Sequence, residues 1–391
     1  MTPCKNGIVR LEDLPNDEIF VKLKSKFHKY IESKIRNFGI KKFEKKIGSG
    51  RKIGHWLMEN SLIRLDILLK ILDYFNLSYN NNILIIRGKD GLRIKNPKIT
   101  FDFTSLSGVR ILAGILGDGC IPKNRTNPYY TNSDKNLTNG FIEDMKKVFG
   151  DIEFNSRMVK KKNTIMIILE FSSLVYKIFL KVGLKPGKKV ETNQNIPNFI
   201  FNLDKIRKFA FISQFFDDEG SVNPLSKYVK LTYASLERYG KPALIEDIEK
   251  LLSHFDIQSS VYPDRVYCSS RGEDRRVWRL QINGQFQLKE LYRNLNLRSL
   301  EKKRKFESLL KSIKLRKFRN KEYLSIYQDF MKKIQNSKGY FTSWDLSSNS
   351  GMTIGSCRNL ILRFSKLGLI KCIKPYKSGN DHEYAYYILG K

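Results

Sequence analysis

Two short segments of this 391-residue chain, ILAGILGDG (111–119) and ISQFFDDEG (212–220), close in the same way: an apolar run, an acid, then glycine. Asp118 and Glu219 hold the same place in each. The stretches beyond them are also alike. After the first come a basic hairpin (KNRTNPYY), a helix (NGFIEDMKKVFG), two strands (DIEFNSRMVK and NTIMIILEF) and a helix (SSLVYKIFLKVG). After the second come a strand (YVKLTYAS), a helix (KPALIEDIEKLLSHF) and two strands (QSSVYPDRVYCS and RRVWRLQING), then the helices QFQLKELYRNLN and SLEKKRKFESLLKSI. A repeat of roughly 100 residues is too long for a solenoid unit. The order α-β-α-β-β-α, given twice, predicts an α+β core of two equivalent halves.

The ends of the two acidic segments carry the chemistry. On a helix, Ala113 and Gly117 are i and i+4 neighbours with Gly114 beside them, and side chains this small let two backbones approach closely. Gly119 and Gly220 suit the left-handed residue that ends a helix. Two such helices packed side by side bring Asp118 and Glu219 together at their C-terminal ends. There the macrodipole is negative and a second carboxylate adds repulsion, so the placement costs stability. A divalent cation reverses both penalties, and Mg2+ accepts one or two carboxylates together with phosphate oxygens and water. Such ions serve phosphodiester cleavage.

This pairing resembles the LAGLIDADG homing endonucleases, and the resemblance runs over residues 105–318. ILAGILGDG resembles the family's first motif, IRKFAFISQFFDDEGSV its second, and GLKPGKKVETNQNIPNFIF is similar to the link between halves. The resemblance implies duplicated αββαββα halves with pseudo-two-fold symmetry, 105–200 and 201–318, whose saddle-shaped sheets lie in the DNA major groove. It implies a site-specific double-strand DNA endonuclease in which Asp118 and Glu219 hold Mg2+, with Mn2+ as a substitute, beside Gly117 and Asp218. By the same resemblance a basic residue near the end of each half, Lys189 and Lys303, orders water at the scissile phosphates. Gln214 and Asp218 stand where small residues allow close contact, which predicts asymmetric helix packing. Asp218 beside Glu219 leaves two candidate ligands, of which Glu219 is the equivalent of Asp118.

Charge points to the partner. Lys and Arg number 72 against 39 Asp and Glu, a formal net charge of +33 spread along the whole length. That field suits nucleic acid or an anionic membrane surface, and no apolar run is long enough to cross a bilayer. Five Cys without a C-x-x-C pair and four scattered His indicate no disulfide framework, zinc site or His-centred chemistry. The N-terminus lacks a secretory or transit pattern, so an intracellular, cytoplasmic protein at the nucleoid is expected, with an organelle as the alternative. Along the strands, Lys123, Arg125, Asn155 and Arg157 in the first half are types that read bases or grip phosphates, as are Tyr228, Lys230, Thr232, Arg275, Arg276 and Arg279 in the second. The basic run from Lys302 to Arg319 reads as a backbone-gripping helix face.

Both flanks read as DNA-binding modules. Residues 1–80 read as a helix-turn-helix domain similar to the Cro/repressor type, with short helices over 20–76 of which the first is FVKLKSKFHKYIESKIRNFG from Phe20. Arg51, Lys52, Gly54 and His55 open the recognition helix there, while Ile53 and Trp56 face the core. Residues 81–104 read as a β-linker. Residues 319–391 run helix, turn, helix, hairpin, the order of a winged helix, with Ser356, Arg358, Asn359 and Arg363 outward and a turn at Ser378-Gly379-Asn380. An ordinary helical bundle and a protein-docking winged helix are the plain alternatives for the two ends. The expectation is a monomer with no obligate protein partner; the close on Leu-Gly-Lys without a His-Asn pair argues against an intein. Two rival functions stand beside the nuclease: a non-cleaving transcription regulator on the same fold, and an RNA-splicing maturase.

Overall fold

The computed structural model describes residues 3–50, 52–59, 61–161, 164–224, 227–268, 272–312, 321–350, 354–374 and 386–389. Helix accounts for 49% and strand for 25%, a mixed α+β protein. The chain divides into two compact units, Met1–Asn283 with Gln287–Leu310, and Gly284–Phe286 with Lys311–Lys391.

The first unit is organised around two helices, Leu106–Leu116 and Lys205–Glu219, packed against each other. Each begins on a side-chain cap: Ser105 Oγ accepts from Gly108 N at 3.1 Å, and Asp204 Oδ1 from Arg207 N at 2.9 Å. The first is buried from Ser107 to its end except at Arg110, and the second from Phe209 to Asp217, polar Ser213, Gln214 and Asp217 included. Each feeds an antiparallel four-stranded sheet. The first sheet runs Asn155–Lys161, Thr164–Glu170, Tyr129–Asn132, Gly119–Cys120; the second runs Gly220–Asn223, Tyr228–Leu236, Asp274–Asn283, Ser260–Cys268. In both, the strand leaving the acidic helix is one edge, its hairpin partner lies next, and the third strand in sequence forms the other edge. Registers correspond as well: Gly119 stands opposite Tyr130 and Tyr130 opposite Leu169, while Gly220 stands opposite Leu231 and Leu231 opposite Leu280.

The glycines act differently from the sequence expectation. Neither Gly119 nor Gly220 is left-handed; Gly220 is extended, at φ −81° and ψ 149°. Their need for glycine is steric: a Cβ on Gly119 would lie 2.5 Å from Ile115 Cα, and one on Gly220 2.4 Å from Phe216 O. Gly114 does not serve the helix pair, since its missing Cβ makes room for the Phe141 ring at 2.7 Å.

The N-terminal helices are Ser25–Phe38, Ile40–Ile47, Lys52–Glu59 and Leu65–Tyr74. The expected helix from residue 20 starts later, because Phe20–Leu23 is a strand paired with Ile63–Arg64 and Ile83–Arg87. That sheet continues through Arg93–Lys95 to Asp151–Ile152, and Ile8–Arg10 pairs with Thr100–Asp102. The segment 81–104 is thereby woven into strands on either side. Between the second and third helices Gly48 is left-handed, at φ 66°. The buried Glu44 carboxylate accepts from Ile53 N and Gly54 N, each at 3.0 Å, and so caps the third helix from the second. Ile53 and Trp56 face the core at 0% and 2% exposure.

The second unit comprises helices Lys321–Lys338, Ser343–Ser350 and Ile354–Lys366 with a hairpin of Ile370–Lys374 and Tyr386–Leu389. Met331, Phe341, Leu346, Cys357, Ile361, Phe364 and Ile370 form its core. Thr342 and Asp345 cap the middle helix reciprocally, at 3.0 and 3.1 Å. The turn at Ser378-Gly379-Asn380 lies outside the described residues.

Candidate active site

Gly117 and Asp218 mark the place where the two central helices touch. A Cβ on Gly117 would lie 2.6 Å from Asp218 Cβ. Glycine is needed there for close approach. Asp218 is committed to this seam: its Oδ1 accepts from Tyr130 Oη at 2.7 Å and from Gln214 Nε2 at 3.1 Å. Its Oδ2 is buried without a hydrogen-bond partner. Burial, then the charge of Asp118, push its carboxyl well above the usual range. The packing is asymmetric as expected, with the acid Asp218 facing Gly117 and the Gln214 amide turned to Asp218 and Arg298.

One residue further along each chain, Asp118 and Glu219 emerge together. Burial raises Asp118 to about 6, opposed by the ammonium groups of Lys189 and Lys302. Burial raises Glu219 to about 7; Lys189 and Lys302 oppose this and Asp118 adds to it. Asn132 Nδ2 donates to Asp118 Oδ2 at 2.8 Å and fixes that carboxylate. Its counterpart by register is Tyr233, two residues beyond the partner of Gly220. The Tyr233 hydroxyl is buried with no hydrogen-bond partner, and burial followed by the Glu219 charge raises its pKa.

Lys189 opens the short helix Lys189–Thr192, where burial lowers its ammonium and Glu219, Asp118 and Asp218 raise it. In the second half the basic residue facing the acids is Lys302, not the expected Lys303, which is exposed. Lys302 Nζ donates to Phe216 O at 3.2 Å, to Asp217 O, and to Asp218 O at 3.5 Å, covering the last carbonyls of the acidic helix. Burial lowers its ammonium; Asp217, Asp218, Asp118 and Glu219 oppose that. Helix Leu300–Ser312 turns residue 303 about 100° away from residue 302.

Asp217 sets the position of Lys302. Its carboxylate accepts from Arg298 N at 2.7 Å and Ser299 N at 3.2 Å, anchoring the chain just before that helix. Burial raises Asp217 to about 6 against those two hydrogen bonds. The Arg298 guanidinium reaches Asp144 Oδ2 of the first half at 2.7 Å and Gln214 Oε1 at 3.3 Å, in room left by Gly140. Sequence reasoning does not find Asn132, Tyr130, Tyr233, Asp217 or Arg298. Their only signal is strand register or contact between residues some 80 or more positions apart, which spacing along the chain does not show.

Four acids are thus met by two half-buried ammoniums at the joined ends of two helices. Among the described residues no three His, Cys, Asp or Glu side chains form a ready-made metal cage. The donor set fits a hard cation that takes one or two carboxylates and keeps waters.

The residues expected to contact DNA are divided by the sheets. Tyr228, Lys230 and Thr232 alternate with the buried Val229, Leu231 and Tyr233, so they share the outer face of the second sheet. Thr232 stands opposite Arg279, and Arg275 lies on the same face. Arg276 does not: it stands opposite the buried Ser235 on the inner face and pairs with Glu237 at the sheet's end. Asn155, Arg157, Lys123 and Arg125 are exposed in the first half, and His55 is exposed on the third N-terminal helix, where Lys52 is the first residue. Arg51 lies outside the described residues, as do Lys314, Arg316, Lys317 and Arg319. In the second unit Arg363 is exposed; Arg358 and Asn359 are half-buried, and Arg358 Nε donates to Ser343 Oγ at 3.4 Å.

Comparison with known proteins adds a domain. Residues 207–296 match the LAGLIDADG-like domain. This LAGLIDADG-like domain spans the second acidic helix from Arg207, the second sheet and the loop that reaches Asn296. The chain is also 26% identical over 231 residues to the probable translation initiation factor IF-2 of Methanocaldococcus jannaschii, covering 56% of this chain and 18% of that protein. It is 27% identical over 151 residues to the ATP-dependent DNA helicase Hel308 of the same organism, covering 36% of this chain and 12% of that protein. The chain therefore spans under a fifth of the length of these curated relatives. At family level a LAGLIDADG-like domain is consistent with a homing endonuclease or a maturase and suggests DNA binding. Among the described residues no helix is long and apolar enough to cross a membrane.

Proposed function

We propose that this chain is a monomeric, site-specific double-strand DNA endonuclease of the homing type, built from a duplicated LAGLIDADG core with pseudo-two-fold symmetry. One observation supports it most: the two central helices end side by side, their terminal acids Asp118 and Glu219 facing two half-buried lysines. Neither a stable core nor plain DNA binding needs that arrangement.

In this reading Asp118 and Glu219 hold Mg2+, or Mn2+ in its place. The ion supplies charge neutralisation at the phosphodiester and a more acidic water. The protein's own groups do the rest. Asn132 holds the Asp118 carboxylate in one orientation, and Lys189 and Lys302 place positive charge where the scissile phosphates sit. Asp217 keeps Lys302 there by anchoring Arg298 and Ser299. The outer faces of the two sheets hold the duplex in the major groove. The N-terminal helices act as a helix-turn-helix and the second unit as a winged helix, each lengthening the DNA footprint.

Two measurements test this. Each neutralised phosphate contributes a slope of about −0.9 to log affinity against log salt, so binding to duplex DNA falls steeply with salt. Incubation with a randomised duplex library and Mg2+, followed by sequencing of bound and cut molecules, yields one site in both pools. Affinity that ignores salt removes the nucleic-acid reading, and a bound site that is never nicked leaves a transcription regulator. Preference for a structured intron RNA over every duplex leaves the maturase.

A further inference from the structure

The shared register allows the outer faces of the two sheets to be compared position by position. Because Tyr130 matches Leu231 and Leu169 matches Leu280, Ile168 stands where Arg279 stands, Met166 where Val277 stands, and Thr164 where Arg275 stands. The first face carries the row Thr131, Ile168, Arg157, followed by Met166 opposite Val159. Val159 is 40% exposed. The second carries Thr232, Arg279, Tyr262, with Lys230 opposite Gln281. Its guanidiniums are held in place. Arg279 Nη2 donates to Asp264 Oδ2 at 2.7 Å, its Cζ lies 5.6 Å from the Tyr262 ring centre, and Arg275 Nη2 donates to Glu273 Oε2 at 2.8 Å. One fold thus presents an apolar strip of Ile168, Met166 and Val159 beside the exposed Arg157 at one end, and cationic donors held by carboxylates at the other.

We infer that the two halves read chemically different half-sites: the first sheet takes a stretch rich in thymine methyl groups, the second a stretch bearing guanine. The inference rests on the DNA-binding reading above. The thymine methyl is the apolar feature of the major-groove floor, whereas guanine offers the N7 and O6 acceptors that a guanidinium meets bidentately. Guanine edges pressed on Ile168, Met166 and Val159 would lose water and gain no donor from those three side chains, which leaves Arg157 alone to meet a guanine at the strip's edge. A thymine methyl pressed on Arg279 would strand a desolvated guanidinium. Each face therefore rejects the other's half-site as well as favouring its own.

The test uses the full chain and the site it selects from a random duplex library. Ile168→Thr keeps β-branching on a half-buried surface position and identifies which half-site lies on the first sheet. In that half, replacing thymine by deoxyuridine removes only the methyl and weakens wild-type binding roughly fourfold per buried methyl. The same replacement in the other half changes nothing. There, 7-deazaguanine, which lacks the N7 acceptor, weakens binding roughly tenfold, and Arg279→Gln removes that sensitivity. Equal responses of both halves, or tolerance of deoxyuridine at every position of the first, would overturn the inference and leave DNA binding standing. Failure to select any duplex overturns the DNA reading and this inference with it.

Discussion

Asp118 and Glu219 each precede the glycine that opens a four-stranded sheet in corresponding register, yet their surroundings differ. Asp118 is oriented by Asn132 at 2.8 Å; in the corresponding place beside Glu219 stands the buried Tyr233 hydroxyl, without a hydrogen-bond partner. The first helix closes on Gly117, and the second closes against it with the buried acid Asp218. Lys189 sits on a four-residue helix within 105–200, while Lys302 also covers three carbonyls of the helix that carries Glu219. The two ends share a charge pattern of an acid at a helix terminus with a half-buried lysine opposite. They do not share the hydrogen bonds that hold it. Electrostatic demand is thus common to both halves, and each meets it with different neighbours.

The lysines break the comparison most strongly. In the proposed reading Lys189 and Lys302 supply preorganised positive charge at the scissile phosphate, so Lys189→Met and Lys302→Met each lower cleavage roughly 10²–10³-fold. Lys302→Met alone also lowers the melting temperature, because it leaves the Phe216, Asp217 and Asp218 carbonyls uncovered. Lys303→Met changes neither. Equal loss from positions 302 and 303 would remove Lys302 from the site.

Next comes pH. Asp118 rises from 3.8 to about 6 and Glu219 from 4.5 to about 7, so between these limits the folded chain holds protons that the unfolded chain has released. Stability therefore falls as pH rises from about 4 to 7 and levels off above. Glu219→Gln removes the Glu219 share of that penalty: it stabilises by about 3 kcal/mol at pH 8 and almost nothing at pH 4. Denaturant melts of wild type and variant at the two pH values check this; a gain of equal size at both would contradict it.

Gly117→Ala puts a methyl where Asp218 Cβ would lie 2.6 Å away, at a cost of roughly 1–3 kcal/mol. Gly117→Ala with Asp218→Gly, which removes the clashing Cβ, recovers part of that loss, which a double-mutant cycle of unfolding energies measures. Additive losses would mean that the seam does not run through this pair.

The smallest effects sharpen the comparison of hydrogen bonds. Asn132→Ala slows nicking of one strand roughly tenfold by releasing the Asp118 carboxylate. Tyr233→Phe, which removes a hydroxyl that holds nothing in place, changes the other strand by less than about threefold. Strand-resolved gels separate the two, and a larger loss from Tyr233→Phe would make the second half the oriented one.

How much of this the sequence discloses depends on whether a feature is local. The acid-Gly ends, the element order of both copies and Lys189 are visible because helical runs, turns and short-range spacing carry them. Lys302 is visible only as one of a basic run, since choosing it over Lys303 needs the phase of a helix anchored by Asp217. Gly119 and Gly220 stand out in the sequence for a conformational reason, but the close approach of Ile115 and Phe216 supplies a steric one. Arg276 groups with Arg275 and Arg279 by residue type, and only pairing with Ser235 shows that it faces inward. Strand Phe20–Leu23 reads as helix from its own residues because its partner strands lie about 40 and 60 residues away.

The most direct test of a two-acid cleavage centre compares Asp118→Asn, Glu219→Gln and Asp218→Asn with wild type on the selected duplex, measuring binding and strand cleavage in Mg2+ together. Asp118→Asn and Glu219→Gln abolish cleavage while affinity stays within about twofold, because phosphate contacts elsewhere supply it; Asp218→Asn leaves cleavage in place. Cleavage that survives Glu219→Gln but not Asp218→Asn, or a wild type that binds tightly and never nicks in Mg2+ or Mn2+, would contradict the account.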